Sequence, residues 1–168
     1  MGIDIHAHIE FVTPSGDVDW FAQVGIPRDH SLFAALAGVR YQADGTPLYP
    51  PRGLPNPCSD VVTREFYLAV SDRDDARLPT FRHVSRSVAE RWVAEGTSQY
   101  VFGGRMIVDR ELHTPSWLTL EEIEAALRHA KVDVPGVSPW FAATMAAMRE
   151  FDLRSGSCVS RLVFWFDN

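Results

Sequence analysis

The sequence predicts an α+β fold: a single globular domain, residues 1–168, with an antiparallel or mixed sheet and about four helices packed on it. Three observations carry this. Strand-like alternation opens the chain in "MGIDIHAHIE" and closes it in "RLVFWFDN". Capped segments of helical spacing recur between those ends. A chain of 168 residues can also bury roughly 70% of its unfolded surface around one core without cross-links.

In the opening stretch Asp4, His6, His8 and Glu10 alternate with Ile5, Ala7, Ile9 and Phe11. Side chains alternate faces along a strand, so one face is core and the other is a row of ionisable groups. Pro14, Ser15, Gly16 and Asp17 make a turn, and residues 18–21 return as a second strand of a hairpin. Ser31 is placed to cap a helix through Leu32, Phe33, Leu36 and Val39. Residues 41–57 hold five prolines and two glycines, which predicts a long irregular loop carrying "PPRGLP". Loops of that length in compact domains tend to bind or cover something.

Residues 65–70 alternate as a strand, ended by the charged "SDRDDAR" at 71–77, which lacks the glycine and terminal glutamate of a calcium loop. Residues 85–95 read as a helix with Val88, Trp92 and Val93 inward, stopped by Gly96. Residues 99–108 form a strand or hairpin interrupted at Gly103 and Gly104. Thr119 and Glu122 have capping-box spacing ahead of Leu120, Ile123 and Leu127, and Ser138-Pro139 starts a further helix through Phe141, Met145 and Met148. The last run, 159–166, carries bulky apolar groups on both faces and therefore reads as a central strand.

Composition narrows the function classes. The net charge of −6 disfavours a domain that lives on non-specific nucleic-acid contacts. Among the 16 basic residues all but Lys131 are arginine. The two cysteines, Cys58 and Cys158, have no metal-ligand spacing, which fits a reduced compartment. The acidic, histidine-bearing start is unlike a secretory signal, and no apolar run is long enough to span a bilayer. The expectation is a soluble cytoplasmic protein with no membrane partner.

The segments "MGIDIHAHIE", "PRDHSLFAALAGVR", "PPRGLP", "HTPSWLTLEEIE" and "RLVFWFDN" together resemble a family of short proteins encoded mainly by bacteriophages and prophages, which typically start Met-Gly-x-Asp-Ile-His. The resemblance runs along nearly the whole chain. It implies a phage origin in a bacterial host cytoplasm, and its points of correspondence are Asp4, His6, Glu10, the loop Arg52-Gly53-Leu54-Pro55, and Ser116-Trp117-Leu118. On that pattern His8 looks peculiar to this sequence.

The chemistry the residues suggest centres on the first strand. Same-face neighbours lie about 6.6 Å apart, so Asp4, His6 and His8 can supply a divalent metal (Zn, Mn or Mg) with adjacent ligands, whereas Asp4 and Glu10 are roughly 20 Å apart and cannot share one. Glu10 and His113 are the candidates to move a proton. Arg28, Arg52 and the Gly53 backbone are candidates to hold an anionic ligand, although Arg52 can equally pair with an acid such as Asp60. Ser116 and Trp117 read as a hydrophobic staple at the start of the following helix. The leading expectation is a metal-dependent hydrolase acting on a phosphodiester or nucleotide. The alternatives are a non-catalytic nucleotide-binding module that sequesters a host signal in phage counter-defence, or a structural protein that forms a homo-oligomer through "VFWFDN". The plainest reading of the opening row is a half-exposed strand whose wet acids discourage edge association.

Overall fold

The computed structural model of the chain describes residues 3–39, 46–72, 82–133 and 138–167. The chain comprises two compact units, Met1–Ser59 with His113–Asn168, and Asp60–Leu112. In chain order, the first unit opens with β1 (Asp4–Val12), β2 (Val18–Val24) and α1 (His30–Ala37). The second carries α2 (Asp60–Phe66), β3 (Tyr67–Ser71), β4 (His83–Ser85), α3 (Arg86–Ala94), β5 (Tyr100–Val101), a 3-10 turn (Phe102–Gly104) and β6 (Met106–Val108). The chain then closes with β7 (Leu112–Thr119), α4 (Leu120–His129), α5 (Pro139–Ser155) and β8 (Val159–Asp167). The class is α+β, as the alternating ends and capped segments predict.

In the first unit the sheet order is β2-β1-β8-β7, with β1 antiparallel to both its neighbours. The expected hairpin forms: Thr13 N–H donates to the Asp17 carbonyl at 2.9 Å, and a bulge between Ile9 and Glu10 leaves Phe21 unpaired on β2. One sheet face, carrying Ile5, Ala7, Ile9, Leu162, Phe164 and Phe166, is buried against Leu32, Phe33 and Leu36 of α1, Ile123 and Leu127 of α4, and Phe141, Met145 and Met148 of α5. The C-terminal aromatic run is therefore core of its own unit: residues 162–166 have no exposure, so "VFWF" is not the surface that the oligomer reading requires.

Two local expectations are corrected, and one strand appears that the pattern does not announce. The N-cap of α1 is Asp29, whose carboxylate accepts the Ser31 and Leu32 N–H groups at 2.9 and 3.0 Å, so the helix starts one residue before Ser31. Residues 60–66 form α2, and the strand begins only at Tyr67; Asp60 in the first turn and Arg64 in the last suit the helix dipole, a signal that a short apolar alternation obscures. Residues 112–119 form β7, where Pro115 and Ser116 break the apolar alternation that reveals a strand. The proline is tolerated because β7 is the outer strand of its sheet.

The second unit has the sheet order β4-β3-β6-β5, with β3 parallel to β4 and antiparallel to β6. Leu68, Val84, Ala89 and Ile107 form its core, against which Val88, Trp92 and Val93 pack as their helical spacing predicts. Gly103 and Gly104 interrupt the hairpin at φ +66° and +82°, a region that costs L residues. Of the charged run 71–77, Asp72 pairs with Arg86, and positions 73–77 lie outside the described residues, as do 41–45 of the proline-rich loop. No described helix is long and apolar enough to cross a membrane.

Candidate functional site

The β1/β8 register explains what becomes of the ionisable row. Asp4 lies opposite Asp167, His6 opposite Trp165, His8 opposite Val163 and Glu10 opposite Arg161. Directly opposite residues share a face, so the row of β1 meets one acid, one indole, one aliphatic group and one guanidinium. The row is neither at a sheet edge nor uniformly wet: His8 and Glu10 are fully buried, which overturns the reading of a solvated strand face.

Glu10 is held at both carboxylate oxygens. Its Oε2 accepts from Arg161 Nε and Nη2 at 2.9 and 2.7 Å, and its Oε1 accepts the Ser59 N–H at 2.7 Å. Arg161 also donates to the Pro57 carbonyl at 2.6 Å, so the pair pins the end of the proline-rich loop to the sheet. A carboxylate so engaged is a structural anchor rather than a base open to substrate.

Arg52 is likewise occupied, though not by Asp60. Its guanidinium forks onto Glu122 at 3.0 and 2.6 Å, and lies 4.9 Å from the Trp117 ring centre and 5.1 Å from that of Tyr49. The Arg52 N–H reaches Ser116 Oγ at 3.2 Å and the Gly53 N–H reaches the Pro115 carbonyl at 3.0 Å, so "PPRGLP" is strapped along β7. Ser116 and Trp117 thus hold the loop rather than stapling a helix start. Partial burial pushes the Glu122 carboxyl up, but Arg52 and the Thr119 N–H outweigh it and leave the group below the usual glutamate range. A carboxyl lowered in the folded state adds stability that is complete above about pH 4.3, its unfolded value, and is lost as the pH falls through the folded value. Glu122→Gln keeps the capping box and loses the ion pair, so it is expected to cost about 1 kcal/mol at neutral pH. Urea denaturation should show that gap closing below about pH 4; a gap that persists there assigns the loss to the cap instead.

The histidines separate. His8 Nδ1 accepts the Trp20 indole N–H at 3.2 Å, so its proton resides on Nε2, and its ring stacks on Trp165 at 5.1 Å. His113 bonds the neighbouring Thr114 Oγ1 at 2.9 Å through Nδ1 and stacks on Phe166, which belongs to the core side of the sheet, so it does not join the row of β1. Thr114 sits at φ +52°, a strained setting for a β-branched residue. Among the described residues no three His, Cys, Asp or Glu side chains gather as a metal site.

What does assemble is the end of the row. His6 Nε2 and Asp167 Oδ2 are 2.9 Å apart, and Asp167 Oδ1 accepts the Asp4 N–H at 3.1 Å. The His6 ring is backed by the Trp165 indole, nearly parallel at 5.9 Å. Arg28 forks onto Asp4 at 2.5 and 2.7 Å. Two carboxylates directly opposite on paired strands repel; Arg28 and His6 compensate them. The Arg28 hydrogen bond, more than its charge, holds the Asp4 carboxyl below its ordinary range, and Asp4 in turn raises Arg28. His6 and Asp167 keep about a third of their side chains exposed (33% and 32%), so the pair is reachable from solvent.

Arg161, Trp165 and Asp167 are the residues that reading the sequence missed at this face. A signal existed for one of them: Arg161 is the single basic residue in a run otherwise fit for a central strand, and a buried guanidinium requires an acid opposite. Fold and cluster define an α+β protein with an arginine-flanked His–Asp pair at one end of its central strands. Comparison with protein-family models, curated proteins and solved structures finds no match to this chain.

Proposed function

We propose that the chain is a small hydrolase acting on a phosphodiester or nucleotide, with Asp4, His6, Arg28 and Asp167 as its working cluster. The observation that supports this is the oriented His6–Asp167 pair, with a carboxylate fixed by a backbone N–H and an imidazole fixed by that carboxylate and by Trp165. With Nε2–H donated to Asp167, the lone pair of His6 lies on Nδ1. Nδ1 takes a proton from water as its oxygen attacks phosphorus, Asp167 stabilises the imidazolium, and the same proton passes to the departing oxygen as the old P–O bond breaks. The fork onto Asp4 uses Nε and one hydrogen of Nη2, so Arg28 keeps other N–H donors for the phosphate oxygens. Asp4 and His6 are engaged by Arg28 and Asp167, so this reading moves the proton with the chain's own side chains.

The test is turnover of bis(p-nitrophenyl) phosphate and a panel of cyclic nucleotides, with and without added magnesium, manganese or zinc. His6→Gln and Asp167→Asn are expected to lower turnover by about 100-fold or more, with little change in melting temperature because both groups are partly exposed. Absent turnover by the unaltered protein under every condition, or turnover that survives His6→Gln, rejects the proposal. A nucleotide recovered intact after heat release points instead to the sequestering module.

A further inference from the structure

The face that carries His6 also carries a large exposed aromatic group that the hydrolytic step does not use. Trp20 of β2 lies opposite Glu10, so it stands on the same sheet face as His6 and His8, and it is 42% exposed. Its indole reaches back along β1, where the Nε1–H donates to His8 Nδ1 at 3.2 Å. His8 and His6 are neighbours on that face, about 6.6 Å apart. The phosphate and the base of one nucleotide are separated by a distance of that order. Phe21, the other exposed ring of β2, meets Phe11 at 5.1 Å and so belongs with the opposite face.

The indole is held by the same stack that sets the His6 imidazole. His8 is fully buried and lies on Trp165 at 5.1 Å, and His6 takes Trp165 nearly parallel at 5.9 Å. His6, Trp165, His8 and Trp20 are thus linked in series, so the ring that reaches solvent is fixed relative to the ring that takes the proton. An indole has a single polar atom, a donor, and here it is bonded to His8. What Trp20 presents outward is therefore ring surface alone. Stacking on an aromatic side chain is a recognition mode open to every nucleobase and closed to a phosphodiester that carries only alkyl groups. A ring fixed before the ligand arrives also loses little freedom when the base settles on it.

We infer that Trp20 stacks the base of the ligand, which makes nucleotides, rather than phosphodiesters at large, the substrate class of the His6–Asp167 site, a class that rests on the hydrolase reading for its reaction. The test is calorimetric titration of His6→Gln, which holds the ligand unhydrolysed, with cyclic AMP and with dimethyl phosphate. Cyclic AMP is expected to bind at least about tenfold tighter. In that background Trp20→Ala should remove about tenfold or more of the affinity, and Trp20→Phe, which keeps a ring but cannot donate to His8, should retain most of it. With His6 in place, Trp20→Ala should raise KM for cyclic AMP by about tenfold or more and lower kcat far less. Base stacking should also shift the Trp20 indole N–H resonance, the one absent from Trp20→Phe, and this decides the matter if circular dichroism melts show Trp20→Ala unfolded. No saturable binding of cyclic AMP at about 10 mM, equal binding of the two ligands, or full affinity in a folded Trp20→Ala overturns the inference. So does a Trp20→Phe protein as weak as Trp20→Ala, because the hydrogen bond to His8 then accounts for the loss. The two failures separate: Trp20-dependent binding of cyclic AMP without turnover removes the reaction and leaves the base site, whereas turnover lost in His6→Gln but unmoved in Trp20→Ala removes the base site and leaves the reaction.

Discussion

Arg161→Met is expected to destabilise the first unit by about 3–5 kcal/mol, read as a lowered denaturation midpoint with an unchanged slope. The reason is the partner left behind. Glu10 has no exposure and Arg161 only 8%, so removing the guanidinium strands a carboxylate in the interior, still bonded to the Ser59 N–H but without its countercharge, and takes a donor from the Pro57 carbonyl. Breaking one side of a buried pair costs far more than the pair contributes net, because the desolvation of the other charge goes uncompensated. The double variant Glu10→Met/Arg161→Met should therefore recover much of the loss, with a coupling energy beyond about 2 kcal/mol in the cycle. Additive single and double losses would show instead that the two residues act separately.

The same pair shows how far the sequence could be read. Its local rules were visible: alternation in β1 and β8, the Thr119–Glu122 capping box and the proline start of α5 depend on neighbours within a few residues, and all are present. β7 was hidden because Pro115 and Ser116 break its pattern, and its identity as a strand depends on pairing with β8, more than 40 positions later in the chain. The opening row was legible as a row, but not its partners. Whether Asp4, His6, His8 and Glu10 face water, an ion or the interior is decided by the residues opposite, and the register that places Asp167, Trp165, Val163 and Arg161 there is a long-range property. The arginines show the same limit: the sequence presents Arg28 and Arg52 as free forks, whereas the fold gives each an acid, Asp4 and Glu122.

Trp165→Ala is expected to cost about 3–5 kcal/mol by leaving a cavity in the central strand, and it should also disorder the face that carries His6. The indole has no exposure, lies opposite His6 in the register, and takes the His6 and His8 rings nearly parallel, at interplanar angles of 10° and 18°. Its loss therefore removes apolar contact and the surface that fixes two imidazoles at once. Trp165→Phe keeps a flat ring and most of the volume, so it should cost less than the alanine variant and leave the His6–Asp167 hydrogen bond in place. Urea denaturation reads the first effect, and the ring ¹⁵N resonances of His6 read the second, since a proton held on Nε2 by Asp167 gives the two nitrogens distinct shifts. A Trp165→Ala protein that stays within about 1 kcal/mol of the parent, or a His6 ring whose tautomer is unmoved in that variant, would remove Trp165 from the account and leave Asp167 alone as the residue that sets the imidazole.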